Sequence, residues 1–412
     1  MQWTDTVIVG AGQAGLAMSH CLARHGIDHV VLERGRIAQR WATERWDSLR
    51  LLSPNWMTRL PGWSYRGGDP DGFMTAAEFA RYLEDYARAS QMPVQEHAAV
   101  RSVRRVPGGY RVETARGIWQ ARTVVIATGH CDVPAIPALA GSLPGSIKQI
   151  TTSDYRKPAR LPAGGVLVVG AAATGVQIAE EVQRAGLPVT ISVGRHTRLP
   201  RVYRGKDIWY WLERIGVLDE TADSVRDLRH SRAEPSFQLV GSPDRHTLDL
   251  GVLHEAGVRI VGRTVGADGP VLHLLDNLTE MTATAQHALE RLLARIDAVT
   301  GLEDFPPEPD AASAVRLAPG PTSINLEAED IRTVIWAIGY RRDYSWLHVP
   351  VLDPAGEIIH DGGITPSPGL FVIGLRFMRR RKSNFIDGVR TDAEELAEII
   401  LTHLVTTQCV AA

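Results

Sequence analysis

Thr6-Val7-Ile8-Val9-Gly10-Ala11-Gly12-Gln13-Ala14-Gly15-Leu16-Ala17-Met18 is a short β-branched run that ends at glycine, turns through three glycines and continues into helix-forming residues up to Arg24. Gly26 closes that helix and His29 to Leu32 reads as the next buried strand. The chain therefore begins with a strand, helix, strand unit. Glu33 ends the second strand, 23 positions after Gly10. Gly10 permits the tight turn, Gly12 has no Cβ to block a pyrophosphate, and Gly15 lets helix and strand pack closely, while the helix N-terminus offers amide donors to negative oxygens. Glu33 would take the two hydroxyls of an adenosine ribose. Its charge repels a 2′-phosphate, so this first site favours FAD or NAD over NADP.

A second copy follows. Gly165 to Val169 reads G-V-L-V-V, then come Gly170-Ala171-Ala172-Ala173-Thr174-Gly175, a helix ending at Gly186 and a strand P-V-T-I-S-V. The acid is missing at the end of this unit. Gly194, Arg195, His196, Thr197 and Arg198 stand there instead, with Arg195 25 positions after Gly170. Cations at this place pair with a ribose 2′-phosphate, which selects NADPH. The second glycine of the repeat is Ala172, whose methyl intrudes where a pyrophosphate passes, so the dinucleotide is expected to sit higher or bind more weakly.

Thr123 to Gly129 (T-V-V-I-A-T-G) and Arg332 to Tyr340 (R-T-V-I-W-A-I-G-Y) are buried strands ending in a small residue and glycine, which lets backbone approach a bound cofactor. Pro368 to Gly374 is one more such strand, followed by Asp387-Gly388 and a helix over Asp392 to Leu404. The expected fold class is α/β, with two interleaved Rossmann-like dinucleotide-binding domains. Residues 1–155 form the first part of an FAD domain, 156–324 an inserted NADPH domain with a helical insertion, and 325–412 the second part of the FAD domain. Leu278, Met281, Ala285, Leu289, Leu292 and Ile296 fall at helical spacing and read as core packing. Asp304 to Pro321 reads as a surface linker.

Length and composition set the outer limits. The chain has 412 residues, 44% hydrophobic and 22% charged, and a formal net charge of −2, so no global field recruits nucleic acid or an anionic membrane. Cys21, Cys131 and Cys409 lack the paired spacing of a zinc site or disulfide framework, so no metal site is expected. The absence of C-x-x-C argues against electron transfer to disulfides, and a reducing cytoplasm is the natural setting. No apolar run is long enough to span a membrane, and the N-terminus lacks the basic region of a signal peptide.

Further segments carry a resemblance: Arg45-Trp46-Asp47-Ser48-Leu49-Arg50-Leu51, Ser53-Pro54-Asn55, Leu60-Pro61-Gly62, the A-T-G at Ala127 to Gly129, P-R-V-Y-R-G at Pro200 to Gly205, W-A-x-G-Y at Trp336 to Tyr340, and Ser383 to Gly388. In order and spacing, together with the two fingerprints, they resemble the class B flavoprotein monooxygenases, including flavin-containing and YUCCA-like enzymes and their bacterial single-chain relatives. The resemblance implies hydride transfer from NADPH to FAD, capture of O₂ as a C4a-(hydro)peroxyflavin and insertion of one oxygen atom into a small-molecule substrate. The protein would then hold the nicotinamide, exclude water and place the substrate. The candidate FAD set is Gly10, Gly12, Gln13, Ala14, Gly15, Glu33, Arg34, Trp41, Ala127, Thr128, Gly129 and Asp387. The candidate NADPH set is Gly170, Ala172, Thr174, Gly175, Arg195, Arg198 and Gly339. Asn55 is the candidate catalytic residue, as a neighbour of the peroxyflavin, and also reads as a turn residue after Pro54.

The chain departs from the family's linker signature at Leu143-Pro144-Gly145 and Thr151-Thr152-Ser153-Asp154-Tyr155. Leu143 replaces phenylalanine and Thr151 replaces histidine, and threonine cannot hold a proton near neutral pH. That leaves two other readings open: an NADPH oxidase that releases H₂O₂, and a non-catalytic flavin-binding sensor. The partners expected are a small-molecule substrate and O₂, with no nucleic acid and a homodimer left open. Arg379-Arg380-Arg381-Lys382 reads first as a solvated surface, and second as a contact for NADPH phosphates or an acidic substrate near the flavin cleft.

Overall fold

The computed structural model describes residues 1–299, 301–307 and 313–411, with side chains through residue 407. The middle of the expected linker and the Cys409 side chain lie outside the described residues. In chain order, the elements that build the two sheets are β1 (Gln2–Val9), α1 (Gln13–Arg24), β2 (His29–Leu32), β3 (Val94–Gln95), β4 (Val100–Val106), β5 (Gly109–Thr114) and β6 (Gly117–Ile126). Then come β7 (Lys148–Thr151), β8 (Gly165–Val169), α2 (Ala173–Arg184), β9 (Val189–Ser192), β10 (Arg259–Val261) and α3 (Leu278–Asp297). The chain ends with β11 (Ile331–Trp336), β12 (Leu347–His348), β13 (Leu370–Val372) and α4 (Gly388–Ala411).

The first sheet runs β12-β4-β5-β6-β1-β2-β3, with β13 added to the end of β6. Its centre is parallel: Val7 to Val9 pair with Val30 to Leu32 on one side and with Val124 to Ile126 on the other. These central strands are buried on both faces, as the middle of a parallel sheet requires. α1 and the apolar stripe of α4 (Ala393, Leu396, Ala397, Ile400) close one core with β1, β2, β6 and β13.

The second sheet is five parallel strands in the order β7-β11-β8-β9-β10. Here strand membership departs from the boundaries at 155/156 and 324/325. Lys148–Thr151 and Ile331–Trp336 both lie in this sheet, with Val166 to Val169 paired to Thr333 to Trp336. At the end of β11 the Ala337 backbone packs closely on Gly170, whose Cβ, if it had one, would meet the Ala337 carbonyl oxygen at 2.4 Å. The chain thus enters and leaves the second sheet through β7 and β11, and the Val133–Pro134 and Tyr340–Arg341 segments pair antiparallel where it does so.

α3 buries Leu278, Ala285, Leu289 and Ile296 of the expected stripe, while Met281 and Leu292 are half-buried; Thr282, Gln286 and Leu293 complete the covered face. Arg201, with a fully buried side chain, locks the two halves. It pairs with Asp207 at 2.6 Å and donates to the Leu52 carbonyl at 2.8 Å. No helix among the described residues is long and apolar enough to cross a membrane.

Candidate functional site

Two turns of the same geometry open the two α helices. Gly10 has φ +106°, and a Cβ there would meet the Ala127 carbonyl oxygen at 2.8 Å. A Cβ on Gly15 would meet the Gly10 carbonyl oxygen at 1.9 Å. The first and third glycines are therefore demanded by the protein itself. A Cβ on Gly12 would meet nothing within 4 Å. No packing requires that glycine, and the space above it is open to a ligand.

In the second turn Gly170 has φ +112°, and Cβ atoms on Gly170 and Gly175 would meet the Ala337 and Gly170 carbonyl oxygens at 2.4 and 1.9 Å. Ala172 (φ −79°, ψ −177°) repeats the backbone of Gly12 (φ −83°, ψ −174°) and carries its methyl into the corresponding space. Neither helix has a side-chain cap or an acid in its first turn, so the leading amides keep free donors. The helix at Ala76–Ala89 differs, because Thr75 and Glu78 close its start in a capping box.

Glu33 stands at the end of β2 with both carboxylate oxygens on backbone amides: Oε2 accepts from Ala11 at 2.8 Å and Oε1 from Gly35 at 2.9 Å. This fixes the carboxylate beside the first turn while each oxygen keeps a further lone pair for a hydroxyl donor. Gln13 and Trp41 are joined, the indole donating to Oε1 at 3.3 Å. Arg34 points to Asp132 and Glu44 instead, at 3.5 and 3.8 Å, and Asp132 also pairs with Arg40. Ala127 packs on Gly10, Ala14 lies under Gly374, and Thr128 and Gly129 (φ +74°) are partly open at the end of β6. Thr174 lies in the first turn of α2, half-buried between Ala173 and Gly175.

Two expectations are not met. Arg198 is not free for a phosphate: it is buried, pairs with Asp249 at 2.6 Å and donates to Gln286 and to the Ser313 carbonyl. Arg195 is exposed, and Gly194 lies against the aliphatic stem of Arg263. The run Arg379 to Lys382 is not a solvated surface. Arg379 and Arg380 pair with Glu395, Arg381 with Glu220 and Glu234, and Lys382 with Asp219 and Asp387. Charge alternation along the chain hides this, because the acids come from two distant segments.

Asn55 is buried, and its side chain spans a loop, donating to the Asp69 carbonyl at 2.9 Å and accepting from the Met74 amide at 3.0 Å. Those bonds fit its turn reading. Asp387 is held between Arg59 at 2.7 Å and Lys382 at 3.4 Å at the start of α4. Gly339 is exposed with φ +96° just beyond β11, next to the exposed Ile338. Thr151 caps its own turn through Asp154 at 2.6 Å, Thr152 meets the Tyr340 hydroxyl at 2.9 Å, and Tyr155 donates to Glu181 at 3.1 Å.

Sequence reading missed Gln238 and Asp132. Gln238, fully buried, donates to the Ala171 carbonyl at 2.8 Å and so holds the second turn from 67 positions away, a distance at which sequence offers no signal. Cys131 follows the A-T-G turn. Burial raises its thiol, but His130, Arg45 and Arg40 override it and draw it down to about 7.

The pyridine nucleotide-disulphide oxidoreductase model matches residues 7–215. A CzcO-like oxidoreductase of Geobacillus kaustophilus (strain HTA426) is 33% identical over 97% of this chain and 99% of its own length. Indole-3-pyruvate monooxygenase YUCCA1 of Oryza sativa subsp. japonica is 32% identical over 90% of this chain and 86% of its own. The flavin-containing monooxygenase of Stenotrophomonas maltophilia shares the fold, with a TM-score of 0.68 at 20% identity over 98% of this chain and 99% of that one.

Proposed function

The chain belongs to the pyridine nucleotide-disulphide oxidoreductase family and, within it, to the flavin-containing monooxygenases, and on that premise we propose that it is an FAD- and NADPH-dependent enzyme that inserts one oxygen atom of O₂ into a small molecule. The observation that carries this reading is the pair of uncapped helix starts of identical backbone, the first with a glycine at Gly12 that no protein atom requires.

FAD fits the first turn. Gly10, Gly12 and Gly15 bring backbone close to its diphosphate, the α1 amides face the negative oxygens, and the Glu33 carboxylate accepts from the adenosine ribose. NADPH fits the second turn, where Gly170, Thr174 and Gly175 repeat that cradle and Arg195 meets the 2′-phosphate. When bound, the flavin supplies the redox chemistry that links NADPH to O₂.

The chain's own residues bind, orient and shield. Arg201, just beyond the second unit's basic loop, ties that segment to the Leu52 carbonyl near the first unit. Asn55 acts as a positioning residue for the loop from Asp69 to Met74. Thr152 and Tyr340 close the crossing where the chain passes between sheets. No side chain need attack the substrate.

The deciding assay is H₂O₂ formed per NADPH consumed with candidate substrates present. A ratio well below one with an oxygenated product supports the monooxygenase. A ratio of one with every substrate means an oxidase.

A further inference from the structure

The two nucleotide-binding units share one hydrogen-bond register. The Gly10 amide donates to the Leu32 carbonyl at 2.8 Å, and the Gly170 amide to the Ser192 carbonyl at 3.0 Å. One residue on, the Glu33 amide donates to the Gln95 carbonyl at 3.0 Å and the Val193 amide to the Val261 carbonyl at 2.9 Å. Val193 is therefore the counterpart of Glu33, Ala171 of Ala11, Arg195 of Gly35 and Arg263 of His97. In the first unit the Ala11 and Gly35 amides are taken by the Glu33 carboxylate. In the second a fully buried valine stands there and ends at Cγ, short of any such oxygen. Among the described residues the Ala171 and Arg195 amides make no hydrogen bond. Two donors that the first unit satisfies with its own anion are left to an anion from outside.

The cations at this place come from two strands. β9 and β10 run parallel with Ser192 beside Val261, so Arg195 and Arg263 leave the same end of the sheet. The Arg263 backbone is held on both sides. Its carbonyl accepts from the Leu275 amide at 2.9 Å, its amide donates to Asn277 Oδ1 at 3.3 Å, and the Thr264 amide and hydroxyl meet Ser192 Oγ at 3.0 and 2.8 Å. The Arg263 stem lies on Gly194, its Cδ 3.8 Å from where a Cβ of Gly194 would stand. The two arginines are exposed, and among the described residues neither has a carboxylate at ion-pair distance. Arg198 and Arg259, close to them in the chain, are by contrast paired with Asp249 and Glu329.

We infer that the 2′-phosphate of NADPH takes the place that the Glu33 carboxylate holds in the first unit, on the Ala171 and Arg195 amides, with Arg195 and Arg263 as its two cations. The inference rests on the NADPH reading above and adds to it a specificity-determining residue, Arg263, that the spacing of the fingerprint does not reach. One register thus serves two nucleotides. Where the chain supplies the anion, the ribose keeps both hydroxyls; where the chain supplies cations and free amides, the ribose brings the anion.

The test is calorimetric titration of the FAD-loaded, oxidised protein with adenosine 2′,5′-bisphosphate and with AMP, at about 0.5 M salt, which screens charges that are not in contact. With each cation worth about ten-fold, wild type is expected to bind the bisphosphate about 100-fold more tightly than AMP, and Arg195→Gln and Arg263→Gln each to keep about ten-fold of that preference. Affinity for AMP, flavin content and melting temperature are expected to stay at wild-type values in Arg263→Gln, because the backbone of Arg263 and not its side chain holds the turn. Arg263→Lys, with the charge but without the planar fork, is expected to fall between wild type and Arg263→Gln, and carries the comparison should the glutamine variant not fold. A full preference in Arg263→Gln overturns the inference and leaves Arg195 and the NADPH reading standing. Equal weakening of AMP and the bisphosphate overturns it too, because the side chain would then act through the fold. A wild type that binds the two nucleotides equally removes the NADPH reading and this inference together.

Discussion

Arg198 donates through Nε and Nη2 to one oxygen of Asp249, at 3.2 and 2.6 Å, and both side chains are about nine-tenths buried. The other oxygen of Asp249 caps the helix at Leu250–Glu255 through the Val252 amide at 3.0 Å. The pair therefore belongs to the frame of the second domain, and on the proposed function it is the exposed Arg195 that would read the nucleotide. Arg195→Ala is expected to raise the KM for NADPH by roughly 10- to 100-fold, the loss of one charge-assisted contact, and to leave NADH use unchanged. Arg198→Ala is expected instead to lower stability by about 3–5 kcal/mol in denaturant unfolding, because Asp249 is left buried and alone. A variant pair with these effects exchanged would refute the assignment.

The methyl of Ala172 occupies, in the second turn, the place that stands open above Gly12 in the first. Removing it in Ala172→Gly is expected to tighten NADPH by a factor of ~5, about 1 kcal/mol. Gly12→Ala, its mirror, should weaken retention of FAD. Steady-state KM and the flavin content of purified protein measure the two effects. No change in either variant would mean that the nucleotides do not pass over these positions.

Glu33 accepts two backbone amides, so its charge organises the turn itself, and on the proposed function it would also receive the ribose hydroxyls. Glu33→Gln places an NH₂ against one of those donors, at a cost of about 1–3 kcal/mol. Purified Glu33→Gln is expected to carry less flavin per chain than wild type, read from the ratio of visible to ultraviolet absorbance. Full flavin occupancy would show that the carboxylate is not needed.

His246 links α2 to the segment Ser242–Thr247. Its ring meets Glu180 at 2.7 Å, Asp244 at 2.8 Å and Ser242 at 3.1 Å, and Glu180 also pairs with Arg184. The hydrogen bond to Glu180 raises the imidazole above its ordinary 6.5, against burial and with help from Asp244. A raised histidine stabilises fully below the unfolded value, and that contribution fades as pH climbs from 6.5 through the folded value. The melting temperature is expected to fall over that range, and His246→Gln to flatten the slope. An equal slope in the variant would remove His246 as its source.

What was legible in the sequence was whatever depends on near neighbours in the chain. Gly10, Gly12, Gly15 and Glu33 form one local unit of strand, turn, helix and strand, so their arrangement follows from spacing alone. The same holds for Gly170 and Gly175. The placement of β7 and β11 in the second sheet was not legible, because an apolar strand looks the same whichever sheet it joins. Arg198 and Arg195 are three positions apart and chemically alike. Only the arrival of Asp249 and Gln286 from distant segments separates them. The basic run at Arg379 was misread for the same reason, since Glu220 and Glu234 lie more than 140 positions away. Local motifs show what a chain can hold, and long-range partners decide which charges stay free to do so.

The proposed function requires that two cradles on one chain pass electrons from NADPH to a flavin. Its most direct test is an anaerobic titration of FAD-reconstituted protein with NADPH, followed by the visible flavin absorbance. The expected result is a yellow protein that is bleached by one equivalent of NADPH and recovers its colour when air is admitted. A protein that takes up no flavin, or one whose colour NADPH leaves untouched, would contradict it.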